Sequence, residues 1–226
     1  MPLTEPVLSC DPSELWSQLV DGNLKVTEHF NADKRCYLVA VTRPAAEAER
    51  AGLTLRERDV LTRTLLGAPQ KVTALDLALA PSTVSTHLSQ ALRKLELSVS
   101  ASAIPLSLVL LCQAACGDAV SNSARLTLLQ HGDVGQVVAS LAWPERRLPE
   151  LTDAEQDVAI ALVAGLTKAE IAETRRTSVH TIGKQVSAVF AKVGVRGRFE
   201  LVRRMYREGG AAPENTVELA VATVVS

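Results

Sequence analysis

The chain has 226 residues, with 24 Lys+Arg against 25 Asp+Glu and a formal net charge of −1. At roughly 150 residues per domain, this length accommodates one or two domains with a real core. The 47% hydrophobic and 22% charged composition argues against disorder, the charge balance against wrapping nucleic acid by bulk charge, and the 3% aromatics against stacking platforms for single strands.

The opening MPLTEPVLSCDPSE shows neither the basic region nor the apolar core of a secretory signal. The most apolar run, 104–115, contains Pro105 and is too short to span a bilayer. The expectation is a soluble, cytoplasmic protein. Of the four cysteines, Cys10, Cys36, Cys112 and Cys116, the last two lie at i,i+4 on an expected helix. No further ligand stands at a zinc-finger spacing, so they are read as small buried apolar side chains, with neither metal nor cofactor expected.

In chain order, Leu24 and Val26 alternate with Lys25 and Thr27 in the run Leu24–His29. A turn-like cluster, Asn31-Ala32-Asp33, leads into a second β-favouring run from Cys36 to Thr42. This predicts a β-hairpin. Thr54 with Glu57 three residues on reads as a capping box opening a helix striped by Val60, Leu61 and Leu65 and ended by Gly67. A short helix is expected over Thr73–Leu79. Pro81 is placed in a turn, and Ser82 is expected to cap a longer helix over Thr83–Lys94. Its inner face is Val84, Leu88, Ala91, Leu92 and Leu95. The helical part of this first unit extends to about residue 115.

The pattern then recurs. After a linker at 117–123, Leu126–His131, Gly132-Asp133 and Val137–Ala142 predict a second hairpin. Thr152 and Glu155 repeat the capping box. Thr167 caps a short helix from Lys168 to about Arg175. Ser178 caps a longer one, Val179–Lys192, with Ile182, Val186, Val189 and Phe190 inward. A last helix runs from about Arg198 to Arg207. Thr216–Ser226, rich in β-branched residues, is expected to be a C-terminal strand. Two units follow, 1–117 and 118–226. The fold class is mainly α: two tandem helix-turn-helix domains, each preceded by a small β-hairpin, plus the C-terminal strand.

Short helix, tight turn and longer helix with a polar outer face form an arrangement whose second member can enter a major groove. Both units resemble the LuxR-type (GerE-like) helix-turn-helix family. The first carries Leu53-Thr54, Arg56-Glu57-Arg58, Val60-Leu61, Gly67, Ser82-Thr83-Val84, His87 and Lys94-Leu95 in that family's spacing. The second carries Leu151-Thr152, Glu155, Gly165-Leu166-Thr167, Glu170-Ile171-Ala172, Ser178, Thr181-Ile182, Lys192, Gly194-Val195, Arg198 and Glu200-Leu201. The first unit departs at Ala68-Pro69 and Val72-Thr73, the second at Arg175 and at Gly183-Lys184-Gln185. No receiver-type acidic cluster or ligand-binding domain accompanies either.

The resemblance implies a bacterial, non-enzymatic transcriptional regulator whose partner is double-stranded DNA. Charge distribution agrees. Residues 53–98 hold six basic against four acidic residues, and 151–207 hold ten against six. Candidate DNA contacts are Ser82, Thr83, Ser85, Thr86, Arg93 and Lys94 in the first unit. In the second they are Arg176, Ser178, His180, Thr181, Lys184, Gln185, Lys192, Arg196 and Arg198. Lys184 suits guanine and Gln185 adenine by the usual groove pairings. Two readers in one chain imply a pseudo-palindromic site. The alternative is a protein-interaction regulator that has lost DNA binding in one or both units and assembles, as a homodimer for instance, through the hairpins or the C-terminal strand. No catalytic constellation, membrane segment or small-molecule site is evident.

Overall fold

The computed structural model describes residues 11–97, 104–117, 125–131, 134–143 and 147–207. Its first element, α1 (Pro12–Val20), lies outside the expected set. Asp11 caps it, the carboxylate accepting from the Ser13 amide at 3.0 Å, and Pro12 occupies the first turn, where a missing N–H costs nothing. Leu15, Trp16, Leu19 and Val20 form its buried stripe.

The two expected hairpins are present. Strands β1 (Leu24–Ala32) and β2 (Arg35–Thr42) meet at Asp33-Lys34, with φ of 46° and 58°. Two consecutive left-handed residues are what a two-residue type I′ turn requires. The turn is therefore shorter than the Asn31–Asp33 cluster implied, because Asn31 and Ala32 remain in the strand. Strands β3 (Arg125–His131) and β4 (Val134–Ala142) form the second hairpin.

The hairpins do not stay with separate units. They join through an antiparallel β2–β4 ladder into one four-stranded sheet, in the order β1-β2-β4-β3. Alternation places Cys36, Leu38 and Ala40 of β2 beside Leu141, Ala139 and Val137 of β4 on the buried face.

Helix α2 (Ala45–Ala51), also unexpected, follows Pro44. Then come α3 (Leu55–Leu65), α4 (Gln70–Asp76) and α5 (Pro81–Lys94). The expected short helix at Thr73–Leu79 is displaced by three residues. It starts just after Pro69, which is compatible with a first turn. Pro81 is not in the turn but is the first residue of α5, so Ser82 is no cap and Ala80 takes the N-cap position. In α6 (Leu106–Ala115) every residue from Leu106 to Ala114 is buried. A helix apolar all round belongs at the centre of a core, and α6 packs on α1, β2, β4, α3 and α10 (Arg198–Arg207).

The remaining helices follow expectation: α7 (Asp153–Ala164), α8 (Lys168–Thr174) and α9 (Val179–Val193). Capping boxes open α3, α7 and α8, and Ser178 caps α9. Several backbone features return 98 positions on. Gly67 and Gly165 have φ of 91° and 98°, Ala78 and Arg176 53° and 51°, Glu96 and Gly194 59° and 73°.

One contiguous apolar cluster unites α1, the sheet, α6 and the inner sides of both helical groups. Val60, Ala74, Leu77 and Val84 form a small separate cluster between α3, α4 and α5. Cys112 is buried as expected and Cys116, expected to be buried with it, is not; Cys36 is buried too, which pushes its thiol up to about 12. Cys116 is exposed, because it lies past the last turn of α6. Among the described residues there is no metal-binding cluster, and no helix is long and apolar enough to cross a membrane. Most of the expected linker and the whole expected C-terminal strand lie outside the described residues.

Candidate nucleic-acid interface

The second helical group is built around α9. Ile182, Val186, Val189 and Val193 recur at i, i+4, i+7 and i+11 and are buried against α7 and α8. The opposite side of the same helix carries His180, Lys184 and Ser187, all exposed. These three, with Gly183, Val179 and Lys168 from the first turn of α8, line one shallow surface depression. Lys168 and Ser187 were not among the sequence candidates. The signal was available: Ser187 completes the outer stripe by spacing, and Lys168 follows the Thr167 cap.

Gln185 sits on the shoulder of that stripe. It is half-buried, and its side-chain oxygen is shielded from solvent. It is therefore less well placed than His180 or Lys184 to read a base. Ser178 and Thr181 are exposed but already engaged. The Ser178 hydroxyl accepts from the Thr181 amide at 3.0 Å, and the two hydroxyls lie 2.8 Å apart. Arg176 is exposed in the left-handed turn between α8 and α9, and Arg196 is exposed beyond the end of α9.

The first group has the same plan around α5. Val84, Ala91 and Leu92 are buried, while Ser82, Thr86 and Arg93 are exposed on the other side. Thr83 is half-buried. The Thr86 hydroxyl donates back to Ser82 O at 3.1 Å. Ser85 is tied to α4, accepting from Gln70 Nε2 at 2.6 Å. Thus α5 presents hydroxyls where α9 presents His180 and Lys184.

Three sequence candidates turn out to be structural anchors. Lys94 Nζ donates to Glu57 Oε2 at 2.8 Å and to Gly52 O at 3.1 Å. Lys192 Nζ donates to Glu155 Oε2 at 2.7 Å. In each case the ammonium neutralises the capping-box glutamate of the first helix of its group. Arg198 reaches inward, Nη1 donating to Ile104 O at 2.9 Å and Nη2 to Val163 O at 3.1 Å. Burial lowers its pKa to about 10, which still leaves it charged at neutral pH. Arg175, also basic by sequence, pairs with Asp157 at 3.0 Å.

Burial raises Glu57, but the hydrogen bonds from Lys94 and Thr54 outweigh it and hold the carboxyl below its ordinary value. Glu155 is held lower, at about 2, first by the Lys192 hydrogen bond and then by that of the Thr152 amide. Both carboxylates are thus caps bearing full charge, not acids poised for proton transfer.

Residues 51–106, spanning α3, α4 and α5, match the family of bacterial regulatory proteins called the luxR family (GerE). The chain is similar to "Response regulator Rre1" of Synechocystis sp. (strain ATCC 27184 / PCC 6803 / Kazusa), at 34% identity over 103 residues. That similarity covers 43% of this chain and 45% of the relative, so the chain spans less than half of the relative's length. No solved structure matches. Residues 51–106 therefore carry a helix-turn-helix domain of the LuxR (GerE) type.

Proposed function

We propose that the protein is a DNA-binding transcriptional regulator with two helix-turn-helix readers, the LuxR-type domain at 51–106 and a second of the same plan at 151–207. The observation that carries this reading is the exposed His180–Lys184–Ser187 stripe on α9, opposite a fully buried stripe. A helix docked in a major groove needs one dry face and one polar, cationic face. The 98-residue recurrence of capping boxes, left-handed positions and lysine–glutamate pairs supports a second copy.

In this reading, Lys184 and His180 meet base edges or phosphates. Arg176 and Arg196 flank them on the phosphate backbone. Ser82, Thr83, Thr86 and Arg93 serve the other half-site. The two half-sites are unequal, because hydroxyls stand on α5 where cation and imidazole stand on α9. Selection of bound fragments from a random DNA library tests the proposal. It predicts enrichment of a two-part motif, weakened in a gel shift by the paired change His180→Ala and Lys184→Ala. Recovery of no motif overturns it.

A second reading keeps the first group as a protein contact. Its support is the exposed apolar pair Val72 and Leu75 on α4, at 40% and 81% exposure, beside an α5 face poor in charge. Under it, selection yields a one-part motif set by α9 alone.

A further inference from the structure

We infer that the two readers are welded into one rigid body by α6, so that the protein tolerates only one spacing between the half-sites of its DNA. This inference rests on the two-reader proposal above and adds what fixes their separation. Domains joined by a linker move relative to one another unless a large apolar interface holds them, and a flexible linker accepts a range of site separations.

Here the joint is neither flexible nor small. Helix α6 lies between the two helical groups and is buried on every side, packed on α3 of the first and α10 of the second. Its one amide side chain spans the joint. Gln113 Nε2 donates to Leu65 O at the end of α3, at 3.0 Å, and to Phe199 O in the first turn of α10, at 3.3 Å. Both acceptors are backbone carbonyls, which cannot swing away as side chains do.

Two further contacts cross the same joint. Arg198 of α10 grips Ile104 O, just before α6. Gly67, at the end of α3, lies against Glu200 of α10 so closely that an added Cβ would stand 3.0 Å from Glu200 N and Cβ. The sheet closes the far side, since β2 and β4 are paired over seven residues. Sliding or hinging one group relative to the other breaks the Gln113 hydrogen bonds to main-chain carbonyls on both sides of α6. Gln113 is therefore a positioning residue for the readers, distant from any DNA contact.

The test uses the full chain and its selected DNA motif, with the half-sites moved apart or together by one to six base pairs and affinity read by fluorescence anisotropy. One sharp optimum is expected, with at least tenfold weaker binding two base pairs away. Affinity that is flat across the series, with tight binding retained, overturns the welded joint but leaves DNA reading intact. Absence of binding to any motif overturns the two-reader proposal, and the inference with it. Gln113→Ala is expected to broaden the optimum while leaving binding to an isolated half-site unchanged. If that variant does not fold, differential scanning calorimetry of the native chain decides. One cooperative transition is expected, and two separate ones contradict the weld.

Discussion

Lys192 Nζ stands 2.7 Å from Glu155 Oε2, and this contact ties the last turn of α9 to the first turn of α7. The same carboxylate oxygen accepts from the Thr152 amide and the Thr152 hydroxyl, both at 2.9 Å. One carboxylate therefore closes a cap and orients the helix that carries His180 and Lys184.

A pH dependence follows. Glu155 has a folded-state pKa of about 2 against an ordinary value of 4.5. A depressed carboxyl stabilises fully above its unfolded value and loses that contribution as pH falls through the folded one. The Glu155→Gln protein is expected to melt below the native protein at pH 6. The gap should narrow steadily between about pH 4.5 and 2, as followed by circular dichroism. A gap independent of pH would remove the ion pair from the account.

Arg198 is expected to matter for stability and little for direct DNA contact. Its two donors satisfy two carbonyls in a largely buried setting. Arg198→Ala should cost about 3 kcal/mol in urea unfolding, since it leaves both acceptors without a charged partner. Arg198→Lys should recover little, because an ammonium cannot reproduce the planar fork.

The glycines separate steric from conformational cost. Gly194 has φ of 73° with nothing within 4 Å of an added Cβ, whereas Gly67 has φ of 91° and meets Glu200 backbone at 3.0 Å. Gly194→Ala should cost about 1 kcal/mol, the ordinary penalty for a left-handed alanine. Gly67→Ala should cost visibly more. Equal midpoints for the two variants in chemical denaturation would contradict the close approach.

On the proposed interface, Lys184→Ala is expected to weaken binding and to reduce the slope of log affinity against log salt by about 1, the loss of one phosphate contact. An unchanged slope with weaker binding would assign Lys184 to base recognition instead. Anisotropy titrations at four salt concentrations distinguish the two.

Much of the helical plan was legible because it is written locally. Thr54, Thr152 and Thr167 each have glutamate three residues on, and all three boxes form. What was not legible is tertiary. Lys94, Lys192 and Arg198 look like phosphate contacts in a sequence, since nothing nearby reveals the acceptors that hold them. Arg198 binds a carbonyl 94 residues away. The β2–β4 ladder is equally long-range, and no local pattern told two hairpins from one sheet. Pro81 was misplaced because proline serves a turn and a first helical turn equally well.

The central ladder carries a consequence for truncation. β2 and β4 run antiparallel, with Leu38 opposite Ala139 and Val39 opposite Val138. Each hairpin lends its inner strand to the other, so neither inner strand is left with an open edge. A chain cut after residue 97 would keep β1 and β2 but lose β4, and β2 would then present an open edge, a ready template for pairing with another molecule.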